Sequence, residues 1–453
     1  MHRILFVYAR GGPPLEYALP RIAACGEVHM LALREPPTGG EDVWRPVCAS
    51  IVEAWHEPRA AEELVAQIVE HARHISADAV LTLSEFAVVA VARACRVLGL
   101  AGPGPGVLRS RDKRLMRATW EHAGVPIPRY RPVATLTQLR QALDQLSLPV
   151  LLKAAWSAGS IGQVIIERPE DAASAWPEIR NVMTMAHEQL GLVELHEDDA
   201  VDAFLVEEIV RGSTSSWYDV TGYGDYLSVE GIVARGTYHP ICITARLPTI
   251  RPFTELCNVA PCVLPEQLQR RIEATARLAV DALCLDTCGT HTEIKLAANN
   301  ELFVIESAAR FGGATIAKEV ETVFGVDMVQ MLARELLGEH VEYPPEMLVA
   351  GSGAAASVAV ISTNSEGTPW TRLPVFDSRR VDWSTLISPA TAVEVVRSQT
   401  VPDGTPMPAF DWSKGSSNWA GILFLRAPDS RTVLRDCYSI LDNLEHALPE
   451  GGA

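Results

Sequence analysis

One hairpin constrains this chain more than any other stretch. Residues Gly289–Leu296 and Glu301–Glu306 read as two strands joined by a short turn at Asn299-Asn300. Side chains alternate along a strand, so His291, Glu293 and Lys295 share one face while Thr292, Ile294 and Leu296 share the other. If residues 298–301 form the loop, residue 297 faces 302, and counting outward sets Glu293 opposite Glu306. Directly opposed side chains lie about 5 Å apart, and like charges there repel. A divalent cation cancels that repulsion, and Mg²⁺ is characteristically held by one or two carboxylates plus substrate phosphates. A register one residue off would instead leave one of the two acids solvated. The metal reading is favoured because Glu306 interrupts a strand that is otherwise apolar through Leu302 and Val304. Four residues on stands Arg310, followed by Phe311-Gly312-Gly313. An arginine beside two carboxylates is suited to hold a transferring phosphoryl group or an acyl phosphate, or to pair with those acids when no substrate is present.

The rest of the chain frames that hairpin. Its 453 residues suggest two to four packed units, and 48% apolar against 21% charged residues excludes a disordered or fibrous chain. The formal net charge of −17 argues against nucleic acid and anionic membranes as partners. No run of about 18 apolar residues occurs, and the N-terminus reads as a first strand rather than a leader, so the expectation is a cytoplasmic protein. The nine cysteines are scattered without a CxxC pair or zinc spacing, as small buried hydrophobes in a reducing compartment would be.

Along residues 1–108 short strands alternate with helices: Ile4–Tyr8, a helix over 60–75, a strand over Ala79–Leu83, then a helix from Val88 to Leu98. That order predicts a parallel, Rossmann-like α/β sheet, closed by the breaker run Gly102–Gly106. A second unit over 109–210 holds the strand Val150–Lys153, a Gly/Ser loop over 157–162 and a returning strand at Val164–Ile166. The loop alone would be an ordinary hairpin tip, but a strand-end lysine under exposed backbone amides suits a polyphosphate. Within 211–345 a helix runs from Pro265, expected at its first position, to Leu283. Residues 346–453 form a C-terminal α+β part with little recognisable chemistry. The basic cluster Arg109, Arg111, Lys113 and Arg114 is expected to be a solvated helix start, Lys113 excepted. His71 and His74 are read as solvated, and Cys284 and Cys288 as packing residues.

Taken in order, Asp112-Lys113, Lys153 with its loop, Val206-Glu207-Glu208, Glu293 and Glu306 with Arg310 resemble the ATP-grasp superfamily of carboxylate–amine ligases over about residues 1–340. More narrowly, His291-Thr292-Glu293-Ile294-Lys295-Leu296 and Ile305-Glu306-Ser307-Ala308-Ala309-Arg310-Phe311 resemble the L-amino acid ligases that form dipeptides. The resemblance implies a Rossmann-like domain, a lid subdomain and a central antiparallel sheet of α+β character gripping ATP. It implies that Lys113 and Lys153 contact phosphates, that Glu207, Glu208, Ile209 and Val210 form the adenine hinge through backbone groups, and that Ser160 closes over the phosphates. Glu293 and Glu306 would ligate Mg²⁺, in two ions with Mn²⁺ able to substitute, and Arg310 would steady an acyl phosphate. Glu85, Glu255 and Asn258 fall at substrate-binding positions, with Gly313 and Ala314 at the pocket wall.

The departures from that pattern are specific. Ala308 stands where the superfamily often has Asn, and Thr214 where an acidic ribose contact is common. Asn258 replaces a histidine, removing the residue for an inherited acid–base role, and Ala314 replaces a bulky aromatic, implying a larger pocket. The activity implied is ATP-dependent amide formation between amino-acid-like substrates, with two alternatives: the same fold serving carboxylation or purine-pathway ligation, and a non-catalytic ATP-binding protein. Such relatives also suggest a homodimer.

Overall fold

The structure, a computed structural model, describes residues 1–54, 61–157, 159, 161–190, 203–412 and 414–450, with backbone alone over 185–190. The N-terminal strands are β1 (Arg3–Tyr8), β2 (Glu27–Ala32), β3 (Cys48–Glu53) and β4 (Ala79–Leu81), paired in parallel in the order β3-β2-β1-β4. Ile4–Val7 is a continuous apolar run because β1 lies inside this sheet with both faces covered. Helix Ala61–Ile75 covers one face through Leu64, Ile68, Val69 and Ala72. Helix Val88–Leu98 is buried nearly all round because its two sides enter different cores. The expected strand to Leu83 stops at Leu81, and Thr82–Phe86 leaves the sheet as a hydrogen-bonded turn, Ser84 Oγ donating to Arg10 O at 2.6 Å.

The next sheet comprises β5 (Tyr130–Val133), β6 (Val150–Ala154), β7 (Gln163–Ile166) and β8 (Phe204–Glu208), antiparallel in the order β5-β8-β6-β7. The largest sheet holds β9 (Tyr226–Ala234), β10 (Thr237–Arg246), β11 (Cys257–Ala260), β12 (Cys288–Leu296), β13 (Leu302–Ala308) and β14 (Ala354–Val360). After a short strand β15 (Val375–Phe376) it gains β16 (Ala392–Val395) and, past β17 (Thr405–Pro406), which pairs with β15, β18 (Gly421–Ala427). Its order is β13-β12-β9-β10-β11-β14-β18-β16, antiparallel throughout. The tight β9–β10 connection is possible because Arg235 and Gly236 both take positive φ, 50° and 78°.

Helix Glu266–Leu283 buries Ile272, Ala276, Ala279 and Leu283 as one stripe. Pro265 stands at its N-cap rather than the first helical position, since its ψ of 142° is extended while its carbonyl accepts from Leu268 and Gln269. Helices Ile316–Phe324 and Met328–Leu336 share a core with the N-terminal sheet, and the second of them packs against both β4 and β9. No described helix is long and apolar enough to cross a membrane, and all nine cysteines are free thiols.

The two faces of the large sheet differ. One is apolar, with Leu227, Val229, Ile243 and Ile294 in the main core. The other, turned toward the N-terminal part, carries a buried polar band: Ser228 and Glu230 on β9, Thr244 and Arg246 on β10, Asn258 on β11, His291 on β12 and Ser357 on β14. Buried polar groups persist only when they find partners.

Candidate active site

Three acid–base contacts converge on one short segment. Asp112 caps helix Lys113–Ala123, accepting from Arg114 N at 2.8 Å, and also accepts from Trp156 Nε1 at 3.1 Å. The cap fixes the helix start against the end of β6, where Lys113 N donates to Ala155 O. Arg111 and Arg117 are fully buried on either side of this cap, and Lys113 is 2% exposed. Arg111 Nε lies 3.6 Å from Glu85 Oε1. Lys113 Nζ donates to Glu306 Oε1 at 3.1 Å and to Ser157 O at 2.8 Å. Arg117 donates to Glu207 Oε2 at 2.9 Å. The expectation of a solvated basic cluster is therefore wrong for Arg111: a pattern of basic residues near a helix start does not reveal that the helix is buried against an acid.

Glu85 follows β4 at the carboxyl end of the parallel sheet, the customary side for ligands in such sheets. Arg310, just past β13, approaches it with Nε 2.7 Å from Glu85 Oε2. Burial would push the Glu85 carboxyl up, but Arg310, Arg111 and Lys113 outweigh it and hold the group below its ordinary range. Lys153 on β6 is buried against Glu207 on β8 in a close ion pair. Burial pushes its ammonium below its ordinary range, against the opposing pull of Glu207. Glu208 points to the opposite face of β8, accepting from Ser147 N and pairing with Arg129. Ile209 and Val210 continue past the strand half-buried, Ile209 N bonding to Pro149 O. Ser160 lies outside the described residues.

The hairpin pairs Glu293 with Glu306, by a different route from the simple count. Next to the turn Leu296 faces Leu302 and Ile294 faces Val304, and then the register shifts so that Glu293 faces Glu306. The extra residue is Ile305, a β-bulge whose carbonyl is taken by Arg117 Nη2 at 2.8 Å. Without the bulge, Glu306 would fall on the other face. Burial would raise the Glu293 carboxyl, but His291, the Tyr226 hydroxyl and Arg246 hold it down at about 2. Both acids retain partial exposure, 21% for Glu293 and 20% for Glu306. His291 Nδ1 bonds Glu230 at 2.9 Å and its Nε2 lies 3.5 Å from Glu293 Oε1. Burial would lower the imidazole pKa, yet Glu230 and Glu293 raise it to about 9.

Among the described residues no group of three or more His, Cys, Asp or Glu side chains is placed to hold a metal. Two oxygen-donor carboxylates, both partly open, nevertheless fit Mg²⁺, which completes its shell with phosphate and water. Glu255 and Asn258 join the same polar face through Arg246: Nε is 3.5 Å from Glu255 Oε1, and Arg246 stands opposite Asn258 in the ladder. Asn258 Nδ2 donates to Ser357 Oγ at 2.9 Å, leaving its buried Oδ1 without a partner. A Cβ on Gly312 would collide with His291 and Ile316, one on Gly313 would meet open space, and Ala314 takes a positive φ of 50°.

Sequence reasoning missed Arg111, Arg117, Tyr226, Glu230 and Arg246. The signal that marks Glu306, a charge interrupting an apolar strand, is equally present at Glu230 beside Val229 and Ile232, and at Arg246 beside Ala245 and Leu247.

Residues 146–318 match the family model described as an ATP-grasp domain. Alanine–anticapsin ligase of Bacillus subtilis is 37% identical over 290 residues, 63% of this chain and 60% of that protein. This chain thus spans 60% of the length of that curated relative. A D-alanine–D-alanine ligase of Paracidovorax citrulli is 25% identical over 262 residues, 55% of this chain and 70% of the relative. Among solved structures, an L-amino acid ligase from Bacillus licheniformis superposes with a TM-score of 0.72 at 17% identity, covering 100% of this chain and 99% of the other. The biotin carboxylase domain of the Hydrogenobacter thermophilus 2-oxoglutarate carboxylase, bound to MgADP, gives 0.65 at 16% identity, covering 94% and 87%. At those identities the structures show the fold.

Proposed function

We propose that this protein is an ATP-dependent ligase that joins an amino-acid-like carboxylate to an amine through an acyl phosphate, releasing ADP and phosphate. The observation that carries it is the facing of Glu293 and Glu306 with Lys113 on one side, next to the Glu85–Arg310 pair. The 37% identity to alanine–anticapsin ligase supports the same class of reaction.

A carboxylate is a poor electrophile, and its activation places charge on a transferring phosphoryl group. Lys113 and Lys153 would bind phosphate oxygens, with the segment from Glu207 to Val210 holding adenine through backbone groups. Glu293 and Glu306 would hold Mg²⁺, which supplies charge neutralisation at the terminal phosphate. Two ions and substitution by Mn²⁺ belong to this reading, as do a cytoplasmic setting and a homodimer. One substrate carboxylate oxygen forms a bond to the γ-phosphorus as the bond to the ADP oxygen breaks. The amine nitrogen then attacks the carbonyl carbon, phosphate leaves with the C–O bond's electrons, and the nitrogen gives up a proton. Arg310, a two-point donor, would steady the acyl phosphate, while Glu85 and Glu255 would accept from substrate ammonium groups. Asn258 offers an acceptor and has no proton to exchange, and Gly313 and Ala314 leave room at the pocket wall.

Purified protein supplied with ATP, Mg²⁺ and pairs of amino acids should release phosphate in step with a condensation product seen by mass spectrometry. AMP and pyrophosphate in place of ADP and phosphate would replace this mechanism with adenylation. Phosphate release that requires bicarbonate or a ribonucleotide amine would replace the substrates.

A further inference from the structure

Glu230 lies in the middle of β9 with no exposed surface. Ser228 Oγ donates to its Oε1 at 2.6 Å and Thr244 Oγ1 at 2.9 Å, while His291 Nδ1 lies 3.0 and 2.9 Å from its two oxygens. The other ring nitrogen of His291 lies 3.5 Å from Glu293 Oε1. The imidazole therefore stands between two carboxylates, one closed off from solvent and one partly open. Stability alone does not account for the inner pair, because well-packed apolar residues commonly serve as well as a buried ion pair. A hydrogen-bonded partner that fixes a histidine's plane and tautomer is, however, the usual support of a metal-binding group. The ring has a second contact: a Cβ on Gly312 would lie 2.9 Å from His291 Nδ1, so the loop that begins at Arg310 packs directly on it.

We propose that Glu230 and His291 are positioning residues, Glu230 locking the imidazole so that its Nε2–H holds the Glu293 carboxylate where it shares a cation with Glu306. The proposal rests on the assignment of Glu293 and Glu306 as metal ligands made above. Neither residue touches substrate; each acts through Glu293.

The probe is Mn²⁺ in the presence of ADP, followed by the free-ion signal in electron paramagnetic resonance. H291N keeps a group near Nδ1 for Glu230 but loses the donor to Glu293; H291Q keeps a donor near Nε2. H291N should weaken Mn²⁺ binding about 10–100-fold and E230Q about tenfold, while H291Q stays within about threefold of wild type on the same reasoning. ADP affinity without metal should be unchanged in all three. Equal losses in H291N and H291Q would mark a merely structural role and overturn the proposal, as would wild-type Mn²⁺ affinity in H291N and E230Q. Should E230Q not fold, S228A and T244V each remove one bond to Glu230, and unchanged Mn²⁺ affinity in both would count against it equally. A wild-type protein that binds no Mn²⁺ with ADP would remove the ligand assignment itself; binding that the variants leave untouched would remove this inference alone.

Discussion

At Glu85 two guanidiniums compensate one buried carboxylate, and their distances differ: 2.7 Å from Arg310 and 3.6 Å from Arg111. R310A leaves the acid Arg111 and Lys113, so the protein should fold, yet it loses the donor proposed for an acyl phosphate. Phosphate release should fall about 10²–10³-fold, and R310K should recover little, because an ammonium cannot reproduce a planar two-point contact. Steady-state rates within threefold of wild type for R310A would sink that role. Glu319 offers a prediction of another kind. It is fully buried, and burial pushes its carboxyl up to about 7 against hydrogen bonds from Ser357 and Thr315. The folded protein then binds a proton that the unfolded chain has released between about pH 4.5 and 7, so this group's contribution to stability falls as pH rises through that window. E319Q abolishes the titration. Its stability relative to wild type should improve by about 3 kcal/mol between pH 4.5 and 7.5, read from urea midpoints. A difference that stays flat with pH would refute it.

At the scale of elements, the position of Glu306 depends on a single extra residue. The apolar alternation of Leu302 and Val304 and the two acids made the hairpin and its facing pair legible from sequence. The bulge was not, because Ile305 differs in no local way from a regular strand residue; the donor that satisfies its carbonyl is Arg117, almost two hundred residues earlier. The same long range hid the buried role of Arg111 and the partnership of Asn258 with Ser357, which joins two strands a hundred residues apart. Helices with a clear apolar stripe, such as Glu266–Leu283, were legible because their signal is local. Arg117 holds both Glu207 and the Ile305 carbonyl. A lysine reaches one of them but not both, so R117K should loosen the bulge. Hydrogen exchange should quicken over residues 304–307, and ADP·Mn²⁺ affinity should drop about tenfold, as expected for loss of a group supporting the proposed metal ligand Glu306. Unchanged exchange over those residues in R117K would show that the ladder alone holds the register.

For the whole molecule, the decisive relation is between two bodies that each supply half of the candidate site. Glu85 follows the last strand of the N-terminal parallel sheet, while Glu293 and Glu306 lie in the large antiparallel one and Arg310 just past its strand β13. Helix Met328–Leu336 fills the space between them, packing on β4 and β9, with Leu332 3% exposed in a core that includes Leu81, Ile232 and Phe311. Tyr17 Oη donates to Ala317 O at 3.0 Å, and Arg21 pairs with Glu321 and Asp327, closing the same seam with polar contacts. L332A would leave a cavity that this seam cannot fully collapse, costing about 2–5 kcal/mol. The lysines proposed to bind phosphate sit outside it: Lys113 starts the helix capped by Asp112 and Lys153 pairs with Glu207 in the β5-β8-β6-β7 sheet, whose apolar residues belong to the separate main core. L332A should therefore spare ADP affinity while raising KM for the carboxylate substrate several-fold, because the Glu85–Arg310 geometry shifts when the wedge shrinks. Denaturant unfolding together with separate ADP and substrate titrations would check it. Equal losses in nucleotide and substrate binding would mean that the two bodies answer to one core, and that the seam does not set the site's width.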